Sequence, residues 1–339
     1  MKIMNLFKTG ILASATLLAV VACGSDFEPH RPQLPANGSG TETPGNPGQQ
    51  VEKVTTLLDK TGWQENAIAD GLVYYHYEGS EPISGSPQII NVLELDLTNK
   101  AYGLELRCNT SGIKCSDALR TTPNAVASVN AAYEHEAVYL KTNNFKISEV
   151  TLPSDHLRFW KHEGAIFWSN TTDLGMIFAG KNNADAIVTY KNDKHKNLVA
   201  SAPMLIDNGE AVGLTFVDPS LTWDDFKNMD PEDYRRHQGV RHPRTAVALT
   251  EDRDLLLITV DGRWPGKAEG MNARELTEFL VHYFNPLYAL NMDGGGSTTM
   301  CIKGLGDPTT HVINHPTDNE VFDHDGERPV NSHFVITKK

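Results

Sequence analysis

The stretch Leu255-Leu256-Leu257-Ile258-Thr259-Val260-Asp261, the segment Met271 to Phe284, and Leu287-Tyr288-Ala289-Leu290-Asn291-Met292-Asp293 together set the architecture. Leu255 to Val260 is apolar nearly throughout, the pattern of a strand covered on both faces. From Met271 the period changes. Leu276, Phe279, Leu280 and Tyr283 recur at i, i+3, i+4 and i+7, and Asn272 stands at capping-box spacing from Glu275. Asn285-Pro286 stops this helix, and Leu287 to Met292 is a second strand. Strand, helix, strand over this length predicts a parallel crossover, so both strands deliver their carboxyl ends to one rim. Asp261 leaves the first strand and Asp293 the second. If the strands are immediate neighbours, the backbones at that rim lie about 4.8 Å apart. Open α/β sheets bind ligands at such a rim.

Directly beyond Asp293 come Gly294-Gly295-Gly296, then Ser297, Thr298 and Thr299. Three glycines strip the backbone of side-chain bulk, so N–H groups can converge on an anion or a sugar hydroxyl. Upstream, Arg244 opens the run Thr245 to Thr250, which forms a hairpin with Leu255 to Val260 through Glu251 to Asp254. Arg263 follows Asp261-Gly262 and offers a planar fork suited to phosphate or carboxylate. The glycines are not a phosphate-binding P-loop, because no Gly-Lys-Ser/Thr follows. No Gly-x-Ser-x-Gly elbow is present, which argues against a serine hydrolase. Asp318, Asp323, His324 and Asp325 could bind a divalent cation but lack the spacing of a calcium loop, and a solvated loop is the stronger expectation there.

Further alternating runs at Gln88 to Leu97, Tyr102 to Cys108, Ala137 to Leu140, Ala165 to Ser169 and Ala202 to Asp207 read as strands. The expectation is an α/β fold tending to α+β: a large mixed β-sheet with covering helices, in a single catalytic domain from residue 51 to 339. The net charge of −13 over 339 residues makes nucleic acid and anionic membrane surfaces poor partners. An anionic substrate would need a local cluster of arginines.

Met1 to Cys23 carries Lys2, Lys8 and an apolar run, Ile11 to Val21, too short to span a bilayer, and ends in Val-Ala-Cys. This predicts a lipoprotein signal peptide over 1–22, with Cys23 as the lipidated residue and a membrane anchor. Residues 23–50, rich in Pro, Gly, Asn, Ser and Thr, read as a flexible tether. Ser25-Asp26-Phe27-Glu28 resembles an acidic surface-export tag. The expected location is the bacterial cell envelope, at the outer membrane. Of the other cysteines, Cys108 and Cys115 could close a hairpin disulfide, which would leave Cys301 as a buried small apolar residue.

Pro243-Arg244-Thr245-Ala246-Val247, Val260-Asp261-Gly262-Arg263, the helix after Gly270-Met271, Ala289 to Met300 and Arg328-Pro329-Val330-x-Ser332 occur in an order that resembles the phosphodiester glycosidase domain family. Val129-Asn130-Ala131-Ala132-Tyr133 is similar to that family's Asn-Gly-Gly-Phe/Tyr turn, with alanines for both glycines. The resemblance implies hydrolysis of a sugar-1-phosphodiester and no required cofactor. On this reading Asp293 or Asp261 acts at the anomeric carbon. Arg244 and Arg263 clamp the phosphate, assisted by the N–H groups of Gly294 to Gly296, Ser297 and the Thr298 hydroxyl. Asn130 and Asn331 meet sugar hydroxyls. The competing expectation is a non-catalytic glycan-binding surface lipoprotein, which would stack sugars on exposed aromatics; only Trp264 lies beside the proposed chemistry.

Overall fold

A computed structural model describes residues 56–180, 183–215, 218 and 220–339. The signal segment, Cys23 and the tether lie outside the described residues. In chain order the strands are β1 (Trp63–Ala69), β2 (Leu72–Glu81), β3 (Ser86–Asp96), β4 (Tyr102–Ile113), β5 (Ala125–Asn130), β6 (Leu140–Thr142), β7 (Phe145–Ser148), β8 (Gly164–Trp168), β9 (Gly175–Phe178), β10 (Asn197–Ser201), β11 (Met204–Ile206), β12 (Arg244–Leu249), β13 (Asp254–Val260), β14 (Tyr288–Asn291), β15 (Met300–Ile302) and β16 (Val330–Lys338). The helices are α1 (Cys115–Thr121), α2 (Asp185–Asn192), α3 (Trp223–Phe226), α4 (Tyr234–Gly239) and α5 (Ala273–Tyr283).

These strands form three sheets. The largest has seven strands in the order β1-β2-β3-β13-β12-β14-β11; a five-stranded sheet runs β7-β6-β10-β8-β9 and a four-stranded one β15-β5-β16-β4. Every strand pairing described is antiparallel, which puts the molecule on the α+β side of the expected class rather than giving it a mixed sheet. β13 lies fourth of seven in the large sheet and is buried at every position, as its unbroken apolar run requires.

α5 covers one face of the large sheet. Leu276, Phe279, Leu280 and Tyr283 pack on Ile90, Val92, Leu256 and Ile258. Its start is fixed as the sequence indicates: the Asn272 side chain accepts from the Glu275 N–H at 2.8 Å, and Glu275 accepts from the Asn272 N–H at 3.0 Å. On the other face Leu93, Leu255, Leu257, Val247 and Leu290 meet the smaller sheets through Leu106, Val129, Phe334, Ile166 and Val199.

β13 and β14 run parallel, joined through α5, but they are not neighbours. β12 lies between them, antiparallel to both, with Ala246 opposite Ile258 on one side and Asn291 on the other. The two carboxyl ends therefore share a rim but stand two strand spacings apart, about 10 Å. One expected strand is shortened: His135 to Ala137 forms a turn, with the Ala137 N–H on the Glu134 carbonyl, and only Leu140 of the expected run lies in β6.

Candidate active site

The rim is assembled by strand ends. In register, Val260 faces Arg244 and Met292 donates to the Thr245 carbonyl, so Asp261, Asp293 and Arg244 emerge at one edge of the large sheet. Beyond Asp293 the chain turns sharply through Gly294, Gly295 and Gly296 into a single turn of 3-10 helix ending at Ser297. Gly295 takes φ +61°, a conformation open to glycine at little cost. Its N–H is held by the Pro243 carbonyl at 2.9 Å.

Bareness is needed here for contact as well as conformation. A Cβ on Gly296 would lie 2.5 Å from Nη2 of Arg328 and 2.8 Å from Oδ1 of Asp318. One on Gly295 would lie 3.0 Å from Nη2 of Arg263. Two guanidinium groups therefore rest directly on the glycine cradle. Arg263 also reaches the Thr317 hydroxyl at 3.4 Å and itself takes φ +65°. Partial desolvation, and then the like charge of Arg328, lower its pKa. Arg328 is held by hydrogen bonds to Asp318, which raise its pKa, and the Asp293 carboxylate adds to that. Two guanidinium groups over a bare glycine backbone suit a multiply charged anion, with Asp318 already paired to one of them.

Asp293 is the carboxylate whose ionisation this arrangement disfavours. Desolvation pushes its pKa up to about 6, against the opposing effect of a hydrogen bond from Ser297 and the charges of Lys161 and Arg328. Its main chain is clamped: the Asp293 N–H donates to Ala131, and its carbonyl accepts from Nδ2 of Asn130 at 2.6 Å.

The expected roles separate once the contacts are followed. Asp261 is 1 % exposed; its Oδ1 accepts from Asn314 Nδ2 at 3.0 Å, and its Oδ2 meets the His315 N–H and Nδ1, both at 2.9 Å. It braces the Asn314–His315 turn and faces no open space. Arg244 is buried, with Nε on the Met271 carbonyl and Nη2 on those of His237 and Val240. The guanidinium is thus committed to backbone carbonyls, and burial lowers its pKa to about 10. Asn130, completely buried, joins Asp293 to Thr245 and to the Thr299 N–H, and so acts as a tie between strands rather than a sugar contact. The Thr298 hydroxyl sits behind the cradle against Thr245 at 3.3 Å. Asn331 occupies the bulge of β16 between Val330 and Ser332 and is half-buried. Ala131 and Ala132 cause no strain, because neither takes positive φ; the Ala131 and Ala132 N–H groups dock on the carbonyl and hydroxyl oxygens of Ser332.

Three contributors escaped the sequence reading as site residues. Arg328 stands in a quoted motif, yet nothing in its spacing places it over Gly296. Glu134 and Lys161 form a second charged wall within electrostatic range of Asp293. Lys161 is nearly buried, bonded to Glu134 at 2.9 and 3.0 Å and to Glu232 at 2.7 Å, above the Tyr133 ring. Burial raises the Glu134 pKa, but Lys161 and Arg158 outweigh it and the net shift is downward. The acidic loop does not gather metal ligands: Asp318 is paired with Arg328, Asp323 with Asn319, and His324 with the Asn314 carbonyl. Among the described residues no group of three or more His, Cys, Asp or Glu could hold a metal ion.

A carboxylate, a glycine cradle and a pair of arginines on the edge of an antiparallel sheet define a hydrolase-type anion site, and comparison with known proteins gives its family. The phosphodiester glycosidase family model matches residues 124–337, more than half of the chain, and the chain belongs to that family of hydrolases. Among curated relatives, it is 26 % identical over 145 residues to N-acetylglucosamine-1-phosphodiester alpha-N-acetylglucosaminidase of Bos taurus, covering 43 % of this chain and 25 % of that protein. It is 27 % identical over 164 residues to the SPbeta prophage-derived uncharacterized protein YomE of Bacillus subtilis (strain 168), covering 43 % and 23 %. Each match spans about a quarter of the relative's length. In fold, the chain resembles the zebrafish N-acetylglucosamine-1-phosphodiester alpha-N-acetylglucosaminidase catalytic domain auto-inhibited by its pro-peptide, with TM-score 0.54, 15 % identity and coverage of 82 % and 84 %. A hypothetical protein from Synechocystis is similar as well, with TM-score 0.52, 10 % identity and coverage of 82 % and 64 %.

Proposed function

We propose that this protein hydrolyses a glycosyl C1–O–phosphate linkage in glycans or glycoconjugates, releasing a free sugar and a phosphomonoester. The observation that carries the reading is the pair Arg263 and Arg328 lying on Gly295 and Gly296 beside a carboxylate with raised pKa. A phosphate monoester is a good leaving group, its second ionisation having a pKa of about 6, so strong general-acid help is unnecessary. The reaction needs negative charge at the anomeric carbon and cations on the departing oxygens. Asp293 supplies the first, as nucleophile or as base for water. Arg263, Arg328 and the N–H groups of Gly294 and Gly296 supply the second. Ser297 holds the carboxylate, Asn130, Thr298 and Asp261 hold the frame, and Asn331 meets the sugar. The sequence features of the amino-terminal segment support an envelope location, with the membrane reached through a lipid on Cys23.

Incubation with an α-linked N-acetylglucosamine-1-phosphodiester, with release of reducing sugar as readout, tests the reaction. Turnover inhibited by inorganic phosphate is expected. Binding without release would instead establish a glycan-binding lipoprotein. A Cys23→Ser chain that stayed in the membrane fraction would remove the anchor from the proposal.

A further inference from the structure

The three cysteines of the folded unit are all thiols, and the sequence offers Cys108 with Cys115 as the natural pair. The fold points elsewhere. Cys115 is the first residue of α1, and its Sγ lies 3.2 Å from the Ser128 hydroxyl on β5 and 3.6 Å from the Thr299 carbonyl. Cys301, in β15, is the cross-strand partner of that same Ser128. Directly opposed residues on one sheet face hold their Cβ atoms about 5 Å apart. Both thiols belong to one small buried cluster with Ala118, Leu119 and Val335. Cys108 is elsewhere, opposite Ser332 on the β4–β16 ladder.

We infer that Cys115 and Cys301 are joined as a disulfide when this chain folds in an oxidising compartment, and that Cys108 stays a thiol. The reaction is ordinary exchange. A thiolate from one cysteine attacks a small-molecule or oxidoreductase disulfide such as oxidised glutathione, forming a mixed disulfide and releasing one thiol. The second cysteine then displaces the other. The two protein thiols lose two electrons and two protons, and the oxidant is reduced to two thiols. Cys115 and Cys301 are 1 % and 0 % exposed, so the exchange takes place before α1 closes on β15. The bond would fasten α1 to the strand that leaves the glycine cradle, closing a loop of roughly 190 residues, a length at which cross-links restrict the unfolded chain most.

The inference is independent of the proposed activity, and its test measures none. The full chain carrying Cys23→Ser is refolded with reduced and oxidised glutathione, or with dithiothreitol, then denatured for thiol titration and digested without reduction. The expected result is one thiol after oxidative refolding against three after reduction, and a linked peptide pair containing Cys115 and Cys301. The oxidised form should melt about 10 °C higher. Cys115→Ser and Cys301→Ser should each abolish that difference, and Cys108→Ser should keep it. Three titratable thiols after oxidative refolding, a Cys108–Cys115 linkage, or equal melting points would overturn the inference. Peptide mapping of the native cysteines decides the matter even if a serine variant fails to fold.

Discussion

Asp261 and Asp293 end parallel strands on the same rim, yet one is saturated and the other is not. Asp261 meets two backbone or side-chain N–H donors and a histidine ring with no solvent contact at its side chain. Asp293 keeps one hydroxyl partner and a pKa near 6. The difference lies in the chain around each carboxylate. The His315 turn folds back over Asp261, whereas the three glycines next to Asp293 leave its surroundings bare. A strand-end carboxylate becomes a reagent only where its neighbours decline to satisfy it, and elsewhere it is a brace.

That contrast can be broken at several points. The largest effect is expected from Asp293→Asn, which should lower kcat at least 100-fold, measured by sugar release, with an unchanged circular dichroism spectrum. The folded pKa of Asp293 lies above its ordinary 3.8, so the folded state holds the proton more tightly. Its ionisation therefore removes stability as pH rises from about 4 to 6, and the loss persists above that range. The inactive variant should thus be more stable at pH 7, by about 1–3 kcal/mol in urea unfolding. A less stable Asp293→Asn protein would show the carboxylate to be structural. Arg328→Met should lower kcat/KM about 30- to 100-fold and abolish phosphate inhibition, because it removes one half of the clamp.

Asp261→Asn sharpens the other side of the comparison. It should cost about 2–4 kcal/mol of stability through the His315 and Asn314 contacts, while kcat below the melting range falls less than tenfold. A larger loss of kcat with intact stability would return Asp261 to the chemistry. The smallest effect is expected from Ser297→Ala. The rate should rise with pH through about 6 as Asp293 ionises, and since the Ser297 hydrogen bond holds that pKa down, its removal should move the rising limb to higher pH by roughly half a unit.

Much of the site's frame was legible from local pattern. The Asn272–Glu275 cap, the 3.6-residue stripe of α5 and the apolar run of β13 are short-range signals that tertiary packing did not override. The sharp turn after Asp293 was legible too, because three glycines in series free the backbone. The interposed β12 was not legible: strand, helix, strand specifies parallel direction but not adjacency, and the hairpin partner Arg244 to Leu249 took the place between. Arg328 and Asn130 were misjudged for a related reason. Their roles depend on contacts across 32 and 163 residues, to Gly296 and to Asp293, which no spacing rule encodes. Ala137 and Val138 looked like a strand because burial alone selects the same residues as a ladder does.

β12 has hydrogen-bonded partners along both its sides, and this has a consequence for how faithfully the molecule assembles. A slip by one residue would turn Arg244 and every core side chain of that strand to the opposite face, and it would have to violate two ladders at once. The placement of the rim is in this sense proofread twice during folding. Mutational drift should accumulate along the outermost strand β1, which has a neighbour on one side only, long before it reaches the strand that keeps both carboxylates in step.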